Sequence, residues 1–262
     1  MIPLCQTPQS ACAACCGIYN VEDNSRTALQ ALLADRTVRF ARVPRFPEAI
    51  EIFGRQEFER LFHAAPPPIP DFHHCPYIGF IDETHPRPGC LLHPQAPANG
   101  GMDWRDLCHY GGFACRTYFC PSHESMSQRM YDLLQTAIDD WYDYGMMISR
   151  RHLIAFLEDR LFSETRNAPM ATNDRIGVVR KAAALVVDWP YRNDPVRDRI
   201  HYFFNDAKAQ PIASVETLTA WMSSPGYDAH WIDRFREIGS TFATVDQITD
   251  AIDRWRALTA TP

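Results

Sequence analysis

The sequence predicts a mainly α-helical protein in two parts: a loop-rich, metal-stabilised cysteine-cluster region over residues 1–121, then an all-helical region over 122–262. Three observations lead there. All nine cysteines lie at or before Cys120, and seven of the ten histidines fall between His63 and His123. Twelve of the twenty prolines lie between Pro44 and Pro121. From residue 122 onward, apolar residues recur at helical spacing behind helix-start signals.

In the first region Leu29, Leu32 and Leu33 predict a short helix, and so do Phe58, Leu61 and Phe62. "TVRFARV", residues 37–43, predicts a strand. "AAPPPIPDFHH" must be extended or turning, because proline removes backbone donors and restricts the residue before it. "HPRPGC", "HPQAPANGG" and "YGG" then give loop signals in close succession up to Cys120. So long a loop-rich stretch needs something besides secondary structure to hold it. Metal gripped by sulfur, rather than an apolar interior, is expected to give this region its shape.

In the second region Ser125–Gln128 predicts a capping box, followed by one helix whose apolar face is Met130, Leu133, Leu134, Ala137, Ile138 and Trp141. Helices are expected over 150–162 and 174–189, the latter stopped before Pro190. Others are expected over 194–207, 214–222 and 229–239, and a Thr244–Gln247 capping box opens the last, over 244–258. Asp139, Asp140 and Asp143 crowd one predicted helix; without the Glu-x-x-His pairs of a di-iron bundle they are expected to form a solvated face.

The formal net charge is -6, and the bases alternate with acids, so no electrostatic case exists for gripping nucleic acid or an anionic membrane. The longest purely aliphatic run, Ala182–Val187, falls far short of the roughly 20 residues of a spanning helix. No basic, then apolar, leader opens the chain, and a cytoplasmic location is expected. In that reducing setting nine cysteines point to metal binding or catalysis, and an odd number excludes a complete set of internal disulfides.

Cys12-x2-Cys15 has the spacing of a chelating pair. With Cys5, Cys16, Cys75, Cys90, Cys108, Cys115 and Cys120 it makes nine candidate metal ligands, eight of which would fill two four-sulfur sites and leave one spare. His93 is a possible extra ligand. The adjacent thiols of Cys15 and Cys16 are expected to diverge and to serve different centres, or to have one bridge two metals. Their alpha carbons stand about 3.8 Å apart, short of the roughly 5.5–6 Å that disulfides prefer. Gly17 would let the backbone bend closely around such a centre.

"CAACCG", then "GCLLHP", then "CHYGGFACRTYFCP" resembles the YkgJ-type cysteine-cluster family, described as a zinc- or iron-chelating domain. The resemblance covers residues 5–121. It rests on the order of the cysteine groups and on the closing "CRTYFC"; six residues separate Cys5 from Cys12 where the family has a short knuckle. It implies a bound metal. An iron–sulfur cluster is preferred over zinc, because structural zinc sites usually show two C-x2-C knuckles and this chain has one. Cys75–Pro76 and Cys120–Pro121 are also similar to the ending of bacterial ferredoxin runs. G-x-G-x-x-G, G-x-S-x-G and C-x3-C-x2-C runs are absent, which removes the nucleotide, serine-hydrolase and radical S-adenosylmethionine readings. The expected function is an iron–sulfur protein with a redox or catalytic role toward a protein or small-molecule partner. The alternatives are a zinc-stabilised binding module or an iron- or zinc-handling chelator.

Overall fold

In this computed structural model, the structure describes residues 11–81, 86–163, 170–200 and 211–260. The protein is mainly α-helical and divides into two compact units, one ending at Cys120 and the other beginning at Pro121.

The first unit is built on two long helices, α1 (Arg26–Ala41) and α2 (Pro47–Phe62). Ser25 starts α1 by accepting a hydrogen bond from Ala28 N at 3.3 Å. Leu29, Leu33, Arg36 and Phe40 form its buried face. The strand expected over 37–43 does not form, and residues 37–41 complete α1 instead. Phe40 continues the helical period and packs edge-on against Phe53 and Tyr77, at 5.1 and 6.2 Å between ring centroids, so tertiary packing outweighs β preference there. Proline at its first turn begins α2, which buries Ile50, Phe53, Gly54 and Glu57 and is far longer than the short helix expected around Phe58.

Beyond α2 the backbone is largely irregular. A two-stranded antiparallel hairpin, β1 (Ile78–Phe80) and β2 (Pro88–Cys90), pairs Ile78 with Cys90. Short 3-10 turns at Ala14–Cys16, Pro97–Asn99 and Arg105–Leu107, and the helix α3 (Gly111–Thr117), complete the unit. The expectation that metal replaces an apolar interior is corrected. Leu29, Leu33, Phe40, Ile50, Phe53, Phe72, Ile78 and Leu92 are all buried together in this unit.

The second unit comprises α4 (Pro121–Ser125), α5 (Gln128–Ala137), α6 (Trp141–Ile148), α7 (Arg151–Phe162), α8 (Thr172–Val187), α9 (Val215–Met222), α10 (His230–Glu237) and α11 (Val245–Thr259). Two details differ from the sequence expectation. Ser127 caps α5 through Met130 N at 3.3 Å, whereas Ser125 belongs to α4 and bonds back to Pro121 O at 3.0 Å. The single helix expected through Trp141 is broken, because Asp140 accepts from Tyr142 N and Asp143 N at 2.9 and 3.0 Å and starts α6 afresh. Asp139, Asp140 and Asp143 therefore do not share one helix.

Thr244 caps α11 through Gln247 N at 3.3 Å, while the Gln247 side chain bonds Ala243 N at 2.7 Å, one residue earlier than a capping box has it. Of the helix expected over 194–207, residues 197–199 form a 3-10 turn and residues 201–210 lie outside the described ones. Trp231, Phe235 and Trp255 are buried at the centre of this unit, and Trp189 joins them with its indole donating to Ser240 Oγ at 2.8 Å. Among the described residues no helix is long and apolar enough to cross a membrane.

Candidate metal centre

The cysteine loops are tied to the α1–α2 frame by a buried polar clamp. Arg36 of α1 is fully buried, and its Nε donates to Glu57 Oε2 of α2 at 3.1 Å. Its Nη1 reaches the carbonyl oxygens of Ile78 at 2.9 Å and Cys75 at 3.4 Å, and Nη2 meets His74 Nε2 at 3.1 Å. A guanidinium only donates, so His74 Nε2 must accept. The proton then sits on Nδ1, which donates to Gly17 O at 2.8 Å. Burial, then Arg36, holds the His74 pKa well below the ordinary imidazole value, in keeping with a neutral ring.

One chain of bonds thus connects both helices to the Cys75 loop and to the loop carrying Cys15 and Cys16. Cys75 N donates directly to Cys16 O at 2.9 Å. Gly17, at φ +76, fits where an added Cβ would lie 2.1 Å from His73 O, so only glycine allows these two loops to touch. Asn20 adds a further tie, exchanging hydrogen bonds with Ile69 and donating to Phe72 O.

Six thiols share one electrostatic neighbourhood. Cys16 is influenced by Cys15, Cys75 and Cys90; Cys75 by Cys90 and Cys108; and Cys115 by Cys108, Cys90 and Cys75. Cys15 and Cys16, expected to diverge, lie on the 3-10 turn Ala14–Cys16 and influence each other's ionisation. The 3-10 turn rotates successive residues by about 120°, where a strand would rotate them by about 180°. Interaction with Cys16 lowers the pKa of Cys15, whereas interaction with Cys15, burial and the neighbouring thiols raise that of Cys16.

Burial, then the other thiols, pushes Cys75 up to about 12, and burial pushes Cys90 up to about 11. Cys108 Sγ and Cys115 Sγ lie 2.9 Å apart, and the hydrogen bond between them brings Cys108 down to about 6 while raising Cys115. No disulfide joins the eight described cysteines, and Cys5 lies outside the described residues. Cys12 accepts from Ala14 N at 3.3 Å, and Cys120 ends the unit.

Charged and amide side chains brace the later cysteines. Arg105 and Arg116 both bind Asp103, at 2.8 and 2.9 Å, and Arg116 also binds Asp106 at 2.8 Å. Arg105 further reaches Cys115 O at 3.4 Å. The arginine of the closing "CRTYFC" therefore fixes the chain around Cys115. Asn99 donates to Leu91 O and His93 O, both at 2.8 Å, and so shapes the turn after Cys90. His93 Nδ1 accepts from Gln95 N at 3.1 Å, which leaves only Nε2 as a potential ligand.

A cavity of about 330 Å³ is lined by Phe58, His73, Pro76, Tyr77, Leu107 and His109, some of them chain neighbours of Cys75 and Cys108. His73 and His109 stack at 3.8 Å between ring centroids. Burial, then His109, lowers the His73 pKa to about 4, and its buried Nε2 has no hydrogen-bond partner among the described residues.

Whether these residues suit a metal is a matter of donor chemistry. Converging thiols that resist ionising together are stabilised as thiolates by a cation, and ligation releases their protons. Among the described residues no three histidine, cysteine or acidic side chains already form a group shaped to hold an ion. Two sulfurs on one tetrahedral ion stand about 3.8 Å apart for bonds of about 2.3 Å. The Cys108–Cys115 pair would need to open by roughly 1 Å from its 2.9 Å separation, which is within side-chain rotation.

No family model, curated protein or solved structure matches this chain.

Proposed function

We propose that the first unit binds a metal centre through Cys15, Cys16, Cys75, Cys90, Cys108 and Cys115, with an iron–sulfur cluster preferred over zinc and a redox or catalytic role. The observation that carries this is the approach of four cysteine-bearing segments: Cys75 N donates to Cys16 O at 2.9 Å, Cys108 Sγ and Cys115 Sγ lie 2.9 Å apart, and Cys90 on β2 pairs with Ile78 of β1. Six thiols exceed the four of one tetrahedral zinc site, whereas iron–sulfur clusters accept scattered thiolates. The likeness of the cysteine groups to the YkgJ-type family agrees with metal binding. A cluster would supply electron-transfer or Lewis-acid chemistry, and the cavity with His73 and His109 gives a small molecule room along Pro76 and Leu107, the chain neighbours of Cys75 and Cys108.

Anaerobic purification followed by elemental analysis, sulfide assay and an absorption spectrum tests the proposal. Stoichiometric iron with acid-labile sulfide and a brown colour is expected. Zinc alone would favour the binding-module or metal-handling alternatives, and folded protein with no stoichiometric metal would overturn all three.

A further inference from the structure

The second unit contains a cleft unrelated to the thiols, and we infer that it binds a small molecule bearing a phosphate or carboxylate group. The cavity measures about 320 Å³ and lies between α7, α10 and α11. Each helix contributes a guanidinium: Arg160 from α7, Arg234 from α10 and Arg256 from α11. In a chain whose net charge is -6, three convergent arginines need a reason.

Arg234 is half-buried, and its guanidinium lies over the rings of Trp231 and Phe156 at 4.7 and 4.8 Å. Those two rings hold the guanidinium at the cleft, and an arginine fork held in place suits an oxyanion. Arg160 stands over the same Phe156 ring at 5.6 Å. Arg256 forms no hydrogen bond or ion pair through its side chain with any described residue.

Two carboxylates, Asp228 and Asp159, line the cleft beside the three arginines and leave one positive charge in excess. Asp228 is already engaged, accepting from His230 N at 3.0 Å and facing Arg234 Nη1 at 3.7 Å. Asp159 is then the one remaining carboxylate lining the cavity against Arg160 and Arg256. His152 and His230 complete the polar wall. Arg151 Nε donates to His152 Nε2 at 3.3 Å, which places the imidazole proton on Nδ1. The volume exceeds what a bare oxyanion fills and falls within the range of small-metabolite sites, so the anionic group is expected to carry an organic body.

Isothermal titration of the full chain at fixed ionic strength, with inorganic phosphate, phenyl phosphate and benzoate as probes, tests the inference. Saturable binding of at least one probe is expected, with phenyl phosphate above inorganic phosphate. Preference for the phosphates over benzoate assigns a phosphate ester, and the reverse assigns a carboxylate. Arg256→Ala and Arg160→Ala should each weaken binding about tenfold or more, as loss of a charge-assisted contact does. Both positions are exposed, so an unchanged far-UV circular dichroism spectrum is expected to show an intact fold. No saturable heat from any probe, or wild-type affinity in both variants, would overturn the inference.

Discussion

Replacing Arg36 with methionine is the sharpest test of the clamp. The guanidinium is fully buried and holds Glu57, two backbone carbonyls and His74 at once. Methionine keeps most of the apolar stem and removes every donor. Glu57 still has Arg39 and Arg60, so it is not stripped of all counter-charge. Cys75 O and Ile78 O, however, lose their guanidinium donor in a dry site. Removing one partner of a buried, hydrogen-bonded ion pair costs about 3–5 kcal/mol, and each orphaned buried acceptor about 1–3 kcal/mol. A loss of about 3–5 kcal/mol for the first unit is the conservative expectation.

With a urea slope of about 2 kcal/mol per molar, the unfolding midpoint should fall by about 1.5–2.5 M. Trp104 is the one tryptophan before residue 121, so in fluorotryptophan-labelled protein its fluorine resonance, assigned with Trp104→Phe, reports this unit alone. Reactivity of the thiols toward a chromogenic disulfide should rise in parallel. Arg36→Lys should fall in between, because one ammonium cannot span the positions that the fork reaches. A midpoint shift below about 0.3 M with unchanged thiol reactivity would refute the clamp.

Three further outcomes are expected. Gly17→Ala should open the contact between the two cysteine loops, since φ +76 and the 2.1 Å approach to His73 O both exclude a Cβ; a lower melting temperature and faster thiol labelling would report it. Cys15→Ser and Cys115→Ser should yield metal-depleted protein by elemental analysis, and a fully loaded variant would contradict the proposed ligand set. Glu237 accepts from His152 N and Leu153 N at the start of α7, and burial raises its pKa from 4.5 to about 7. A folded-state pKa above the unfolded one favours the fold at low pH and loses that advantage as pH rises from about 4.5 to 7. Glu237→Gln should therefore gain stability relative to wild type between pH 5 and 8, by up to about 3 kcal/mol in urea midpoints, and a constant difference across that range would refute the assignment.

Much of the helical second unit was legible because its apolar spacing and its caps are local signals. Ser214 and Thr244 cap their helices where the sequence places the starts. The break at Asp140 was not legible, since the apolar pattern from Met130 runs through to Trp141 while the competing side-chain hydrogen bonds depend on geometry. In the first unit the cysteines and Gly17 stood out by type, but the clamp did not. Arg36 and Glu57 occupy core positions of α1 and α2, beside Leu33 and Phe53, and a charged residue there reads as a gap in the apolar face. Arg36 at seven residues past Leu29, and Glu57 at seven past Ile50, was the available signal. The pairing itself joins residues 21 apart, and no local pattern encodes it.

Arg36 grips the Cys75 segment through peptide oxygens, not through any sulfur. Those hydrogen bonds bypass the sulfurs, although the guanidinium charge also favours the Cys75 thiolate. The frame around the thiols is thus held by bonds between the backbone and Arg36, His74 and Gly17, and chemistry confined to the sulfurs need not pull it apart.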